Sequence, residues 1–233
     1  MSDQVSKHSL IQISGVNLIK DFFHCEHVGK MTGDKRREQI IQTAVNLFSQ
    51  RGFSGTTTKE IARAAGVSEA MVFRHFSTKS ELYDAILGNK ACHDGVRFPW
   101  DENPVLLEAI KDKDDYGVFF NIALNALTKQ QADENFMRLL FYSALEEHEL
   151  AERFFDEFVA RLYEFIGCYI ESRQNDGVMR NINPRIVVRA FLGMMIHHSL
   201  NNILWDKKRR LLDISNEEAA KNFAEILLHG VWK

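Results

Sequence analysis

The chain has 233 residues, 45% of them hydrophobic, and its 29 Lys and Arg against 32 Asp and Glu give a formal net charge of −3. That length can bury a sizeable core in one or two domains, and only three prolines interrupt it, which favours long helices. No run approaches the ~18 apolar residues of a membrane span, no secretory leader is expected, and three scattered cysteines (Cys25, Cys92, Cys168) suit neither a disulfide framework nor a zinc knuckle, so a cytoplasmic protein is expected.

Residues 1–33 form an extension with some apolar character, including Leu10, Ile11, Ile13, Val16, Leu18, Ile19, Phe22 and Phe23. Two readings stay open: an added helix that docks on the body or on DNA, or a translation-start artefact with Met31 as the true start. His24, Cys25, Glu26 and His27 are adjacent and cannot all point to one centre, so no metal is assigned to them.

Residues 34–50 carry Ile40, Ile41, Ala44, Val45, Leu47 and Phe48 at helical spacing, and Gly52 stops the pattern. The next stretch, TTKEIARAAGVSEAMVFRHF over residues 57–76, predicts two short helices joined by a tight turn. Thr57 and Glu60 have the spacing of a capping box. Ile61, Ala62 and Ala65 make a narrow stripe of small apolar residues. Gly66 suits a left-handed C-terminal stop, and Ser68 suits an N-cap. In the second helix only Val72 and Phe76 share an inner face, which leaves Glu69, Ala70, Met71, Arg74 and His75 pointing out. Thr78 and Glu81 predict a third cap and another helix through Leu82, Ala85 and Ile86. Three helices in so few residues make a helix-turn-helix unit, whose second helix suits the major groove of duplex DNA.

Gly95, Pro99, Trp100 and Pro104 make residues 92–104 read as a linker or a broken helix. Helical patterns then follow over about 114–130, 132–147, 150–174, 184–204 and 215–231, with Asn175-Asp176-Gly177 closing the third and Asn183-Pro184 opening the fourth. Alternation of the strand type is absent.

The run FSQRGFSGTTTKEIARAAGVSEAMVFRHFSTKSELYDAIL resembles the DNA-binding domain of the TetR family of transcriptional regulators over about residues 34–90. Its TT pair, IA, AGVS and aromatic-x-HF ending carry the resemblance. The implied protein is all-α: the extension (1–33), a helix-turn-helix domain (34–94), and a helical effector-binding and dimerisation domain (95–233). It implies a ligand-responsive repressor, no enzyme and no cofactor, which binds a palindromic operator as a homodimer and is released by a small apolar or amphipathic effector. By the match, Thr57, Thr58 and Lys59 should meet the DNA backbone, with Lys59 also within reach of a base edge. Ser68, Glu69, Ala70 and Met71 should lie nearest the bases, and Arg74, His75 and Lys79 on phosphates. Phe73 stands where the family usually has Tyr and lacks the phosphate-bonding hydroxyl. Glu69 is equally well explained as an N-terminal charge favoured by the helix dipole.

The effector half is harder to read. Phe119, Phe136, Phe141, Tyr142, Phe158, Met194 and His198 are candidate pocket residues, although Phe at helical spacing usually fills a core. Ser199, Asn201 and Asn202 could orient a polar ligand end. Phe191, Met195, Phe223 and Leu227 are candidates for a dimer interface, with burial inside one subunit as the alternative.

Charge is divided along the chain. Residues 30–90 hold ten Lys or Arg against six Asp or Glu, so the rest is acidic and the basic segment would be the one to approach phosphates. No glycine loop for phosphates and no nucleophile with its base is present, and His197-His198 with Asp206 is the nearest approach to a catalytic set. A helical adaptor that binds a protein through its aromatic surface is the other class that fits.

Overall fold

The computed structural model describes residues 33–93 and 103–232. The expectations for the N-terminal extension and for the His24–His27 cluster lie outside them. The chain is built from α-helices: α1 (Gly33–Arg51), α2 (Thr58–Ala64), α3 (Glu69–His75), α4 (Lys79–His93), α5 (Pro104–Asp112), α6 (Asp115–Ala132) and α7 (Glu134–Leu145). Then come α8 (Glu149–Phe154), a π-helical segment (Phe155–Val159), α9 (Ala160–Asn175), α10 (Pro184–Leu200), a second π segment (Asn201–Trp205) and α11 (Asn216–Val231). An isolated antiparallel bridge joins Met179 to Trp232. No helix among the described residues is long and apolar enough to cross a membrane.

The local signals work as their chemistry demands. Thr57 and Glu60 close a reciprocal capping box on α2. Ser68 accepts from the Met71 amide and caps α3. Gly52 and Gly66 lie at φ 72° and 64°, the left-handed region that a side chain would resist. One more helix, α5, starts at the last residue of the expected linker and fills the stretch before the next expected pattern. Pro104 sits in its first turn, where a missing N–H costs nothing, and Asn103 caps it. Reading that proline as a breaker concealed a helix whose Leu106 and Ala109 are buried. Each of the two long patterns contains a π segment: Phe155–Val159 joins α8 to α9 in one rod, whereas Asn201–Trp205 ends the rod that α10 begins.

Two apolar cores result. One lies among α5, α6, α9, α10 and α11, where Phe119 and Phe191 meet edge to face at 5.1 Å. At its end Asp115 and Arg173, both buried, pair at 2.7 Å, and the Tyr169 hydroxyl donates to the same carboxylate. The other core gathers Ile40, Ile41, Phe48, Ile61, Val72, Phe76, Leu82 and Ile86 from the first four helices. It also takes in Leu139 and Leu140 of α7 and Leu150 of α8. The apolar interior of the N-terminal unit therefore continues past the boundary expected near residue 94.

α7 is fastened to that unit by a polar stripe as well. Asn135 donates to Asn46, Arg138 Nε to the Ser49 carbonyl at 3.1 Å, and the Tyr142 hydroxyl to the Gln50 carbonyl at 3.2 Å. The Glu146 carboxylate accepts the Phe53 and Ser54 amides at 2.8 and 3.1 Å. The last turn of any α-helix leaves carbonyls without intrahelical partners. Here side chains from α7 supply the partners for Ser49 and Gln50, so the end of α1 is capped from the C-terminal body.

Candidate nucleic-acid interface

α3 has seven residues, and of these only Val72 is buried. Phe76, at its C-cap, is also buried, and together they anchor the helix on the core. Ser68, Ala70, Phe73 and Arg74 are exposed, Phe73 by 46%, while Glu69, Met71 and His75 are half-buried. The side chains expected to face out therefore do so to different degrees. A short helix held by two inward residues and presenting the rest is dimensioned for a major groove.

Several of the named residues also have work within the protein. The Thr57 hydroxyl is engaged with Glu60, donating to its carboxylate at 2.8 Å and accepting its amide. The hydrogen bonds to Thr57 hold the Glu60 carboxyl below its ordinary range, with Arg51 adding to the effect. Thr58 donates to a Glu69 carboxylate oxygen at 2.6 Å, which ties α2 to the start of α3. Lys79 was expected on a phosphate. Its ammonium instead donates to the carbonyls of Phe53 and Thr56 at 2.9 and 3.0 Å and lies 4.0 Å from the centre of the Phe53 ring. Two of its three N–H groups thus clamp the turn that leads into α2. By contrast, Lys59 and Arg74 are exposed, and neither makes a hydrogen bond or ion pair among the described residues.

Three cations that the motif did not single out join this surface. Lys35, Arg36 and Arg37 are exposed in the first turns of α1. Arg37 stacks 5.0 Å from the Phe76 ring centre, and Arg36 and Arg37 act electrostatically on His75. The N-terminal end of α1 therefore abuts the C-terminal end of α3, and the two form one basic edge. The signal was visible as the KRR run of residues 35–37, but spacing alone does not say which helix end it meets. His75 Nε2 is buried with no partner among the described residues. Burial, with Arg74, Arg37 and Arg36, lowers its pKa.

The residues expected to form an effector pocket are scattered. Phe119 is fully buried in the core, while Phe158 and Met194 pack on that core's flank. Phe136 packs on the N-terminal core, half-buried Phe141 lies on the same helix α7, and Tyr142 serves the α1–α7 junction. His198 is buried and lines a cavity of about 200 Å³, together with Ser199 and Asn202. The interface expectation also needs correction. Phe191, Met195 and Leu227 are 0%, 1% and 6% exposed within the single chain, so they belong to its own core, and Phe223 is half-buried against it. The 3.6-residue repeat gave the right apolar face, but that face turns inward. The outer face of α10 and α11 instead presents Ile186, Ile196 and Ile226.

The fold and this surface define a helix-turn-helix unit on an all-helical body. Residues 40–86 match the model of bacterial regulatory proteins of the tetR family. The HTH-type transcriptional regulator AcrR of Shigella flexneri is 35% identical over 88 residues, a match spanning 35% of this chain and 41% of AcrR. The chain thus aligns with well under half the length of that relative. The crystal structure of NalD, the secondary repressor of the MexAB-OprM multidrug efflux pump in Pseudomonas aeruginosa, superposes with a TM-score of 0.64 at 24% identity, covering 88% of this chain and 99% of NalD. AibR in complex with isovaleryl coenzyme A and operator DNA superposes with a TM-score of 0.60 at 19% identity, over 83% and 98% of the two chains. These two likenesses extend the shared fold across the C-terminal body.

The histidines give a pH expectation. Burial, then Arg209 and His197, also lower the pKa of His198. An unfolded histidine titrates near ~6.5 and takes its proton first as pH falls, so the unfolded state binds more protons in this window. The stability that neutral His75 and His198 contribute is complete above that pH and declines as pH drops through it toward their lower folded values. Urea midpoints measured between pH 7 and pH 5 should fall, and His198→Gln should flatten the decline. An unchanged profile in that variant would remove His198 from the explanation.

Proposed function

We propose that the protein is a transcriptional regulator, a ligand-responsive repressor that binds a palindromic operator as a homodimer. The observation that carries this reading is the helix α3, whose buried anchors are Val72 and Phe76 and which is edged by the exposed cations Lys59 and Arg74 with the Lys35–Arg37 cluster. Ser68, Ala70 and Met71 lie at the end of α3 that would enter the groove. Small or apolar side chains there suit contact with thymine methyls. Glu69 keeps one carboxylate oxygen on Thr58, which leaves the other for a cytosine amino group. The turn built by Lys79 and Phe53 sets where Thr57 and Lys59 meet the phosphates.

One such module covers a half-site, and two-fold symmetry lets a pair read half-sites about 34 Å apart. We assign the interface to the outer face of α10 and α11. Ile186, Ala190, Gly193 and His197 recur at 4-3-4 spacing and are all exposed, and Gly193 and Gly230 have open space where a side chain would be. Ile226, 62% exposed, lies on the neighbouring helix. Small residues between isoleucines let two helix pairs approach closely. Ile226→Arg should convert the dimer to a monomer in light scattering while leaving the helical content unchanged; a dimer that persists would place the interface elsewhere.

The DNA reading is tested by fluorescence anisotropy with a duplex from the gene's own upstream region at several salt concentrations. Replacing Lys59 or Arg74 by Ala should weaken binding to all duplexes and lower the salt slope by about one each. Lys79→Ala should act through the loosened turn, by lowering stability. Unchanged slopes for both Lys59→Ala and Arg74→Ala would defeat the assignment of this face to DNA.

A further inference from the structure

The cavity that contains His198 lies within the C-terminal body, beside the start of α7. Its walls come from the end of α6 (Gln131), the start of α7 (Glu134), the end of α10 with the π segment (His198, Asn202, Ile203), and the loop before α11 (Lys207, Arg209). The lining is polar, unlike the apolar pocket anticipated from the aromatic residues. Asn202 bonds the His198 ring at 3.0 Å, and Arg209 reaches the Ile214 carbonyl at 3.2 Å, so the walls are held in place. Two charged groups are left over. Among the described residues neither Glu134 nor Lys207 makes a hydrogen bond or an ion pair.

We infer that this cavity is an effector site for a small hydrophilic carboxylate, one that can also carry an ammonium group. Lys207 supplies a cation for carboxylate oxygens, beside Arg209, which itself pairs with Asp213 at 3.8 Å, and Glu134 supplies one anion for the ammonium. Neutral His198, Asn202 and Gln131 give hydrogen bonds between them. Size sets the scale: an engineered cavity of about 150 Å³ takes benzene, so about 200 Å³ suits a molecule of roughly eight to ten non-hydrogen atoms. A dicarboxylic acid or an acidic amino acid has that size. A bulky apolar effector does not fit these walls.

The cavity is also wired to the reading head. The carbonyl of Ile203, a lining residue, accepts from Arg138 Nη1 at 3.5 Å, and the same guanidinium donates through Nε to Ser49 in α1. Asn135, next to Glu134, holds Asn46 and Ser49. A ligand that draws Glu134 or the π segment inward must therefore shift α7 against the end of α1. π-helical insertions carry backbone that can rearrange, and they recur at functional sites. This inference rests on the regulator reading for its purpose, while the binding itself can be measured without DNA.

Isothermal titration calorimetry of the full chain with sodium succinate and sodium glutamate tests the site. Both should bind, and Lys207→Ala should weaken each by about tenfold or more, the loss of one charge-assisted hydrogen bond. Glu134→Ala should weaken glutamate and spare succinate. Absence of binding by either compound at millimolar concentration, or affinities unchanged in Lys207→Ala, overturns the proposal. For the relay, the bound probe should reduce duplex affinity in the native chain, whereas Arg138→Ala should bind the probe but lose this response. Arg138→Lys, which keeps a cation at the junction, covers the case in which the alanine variant does not fold. Probe binding that leaves duplex affinity unchanged in the native chain defeats the relay and leaves the regulator reading intact. A chain that binds the probe and no duplex defeats that reading and leaves the site.

Discussion

The reading head takes its orientation from the way α7 caps the end of α1. The Ser49 and Gln50 carbonyls would otherwise be left without protein partners, as would the amides of Phe53 and Ser54 just beyond. Arg138 and Tyr142 of α7 and Glu146 at its C-cap, each four residues apart and so on one face, meet all four. Leu139 and Leu140 add burial in the N-terminal core. Polar groups at such a boundary are costly to leave unpaired, so the junction favours one relative placement of the two units.

That placement matters because α3 is too short to be stable alone. Isolated helices of fewer than ~12 residues are marginal in water. α3 exists because Ser68 caps it, Val72 and Phe76 anchor it, and the Thr58–Glu69 hydrogen bond ties it to α2. The chain of support runs from α7 through the Phe53 turn, where Lys79 bridges two carbonyls, to α2 and then α3. A displacement at α7 would therefore reach the surface that meets DNA by way of packed and hydrogen-bonded neighbours.

Much of the reading head was legible in sequence because its signals are local. The Thr57–Glu60 box, Gly66 and Ser68 each act within a few residues, and each forms as the spacing requires. The helical body was legible as a set of patterns, with one helix hidden behind Pro104. What the sequence could not convey was direction. The apolar repeats of Phe191, Met195 and Leu227 mark a buried face without saying whether the same chain or another one covers it, and here it is the same chain. The partners of Lys79 and Tyr142 are backbone carbonyls, which carry no sequence signature. The cavity was legible only in part: His198, Ser199 and Asn202 sit on one helical stretch, while Gln131, Glu134, Lys207 and Arg209 join them from segments distant in sequence.

Amide hydrogen exchange on Glu146→Ala tests the capping of α1 most directly. The account predicts faster exchange at Phe53 and Ser54, with the Val72 and Phe76 amides inside the reading head unchanged. Exchange at Phe53 and Ser54 as slow as in the native chain would show that the junction does not depend on this carboxylate, and would contradict the view that α7 holds the head in place.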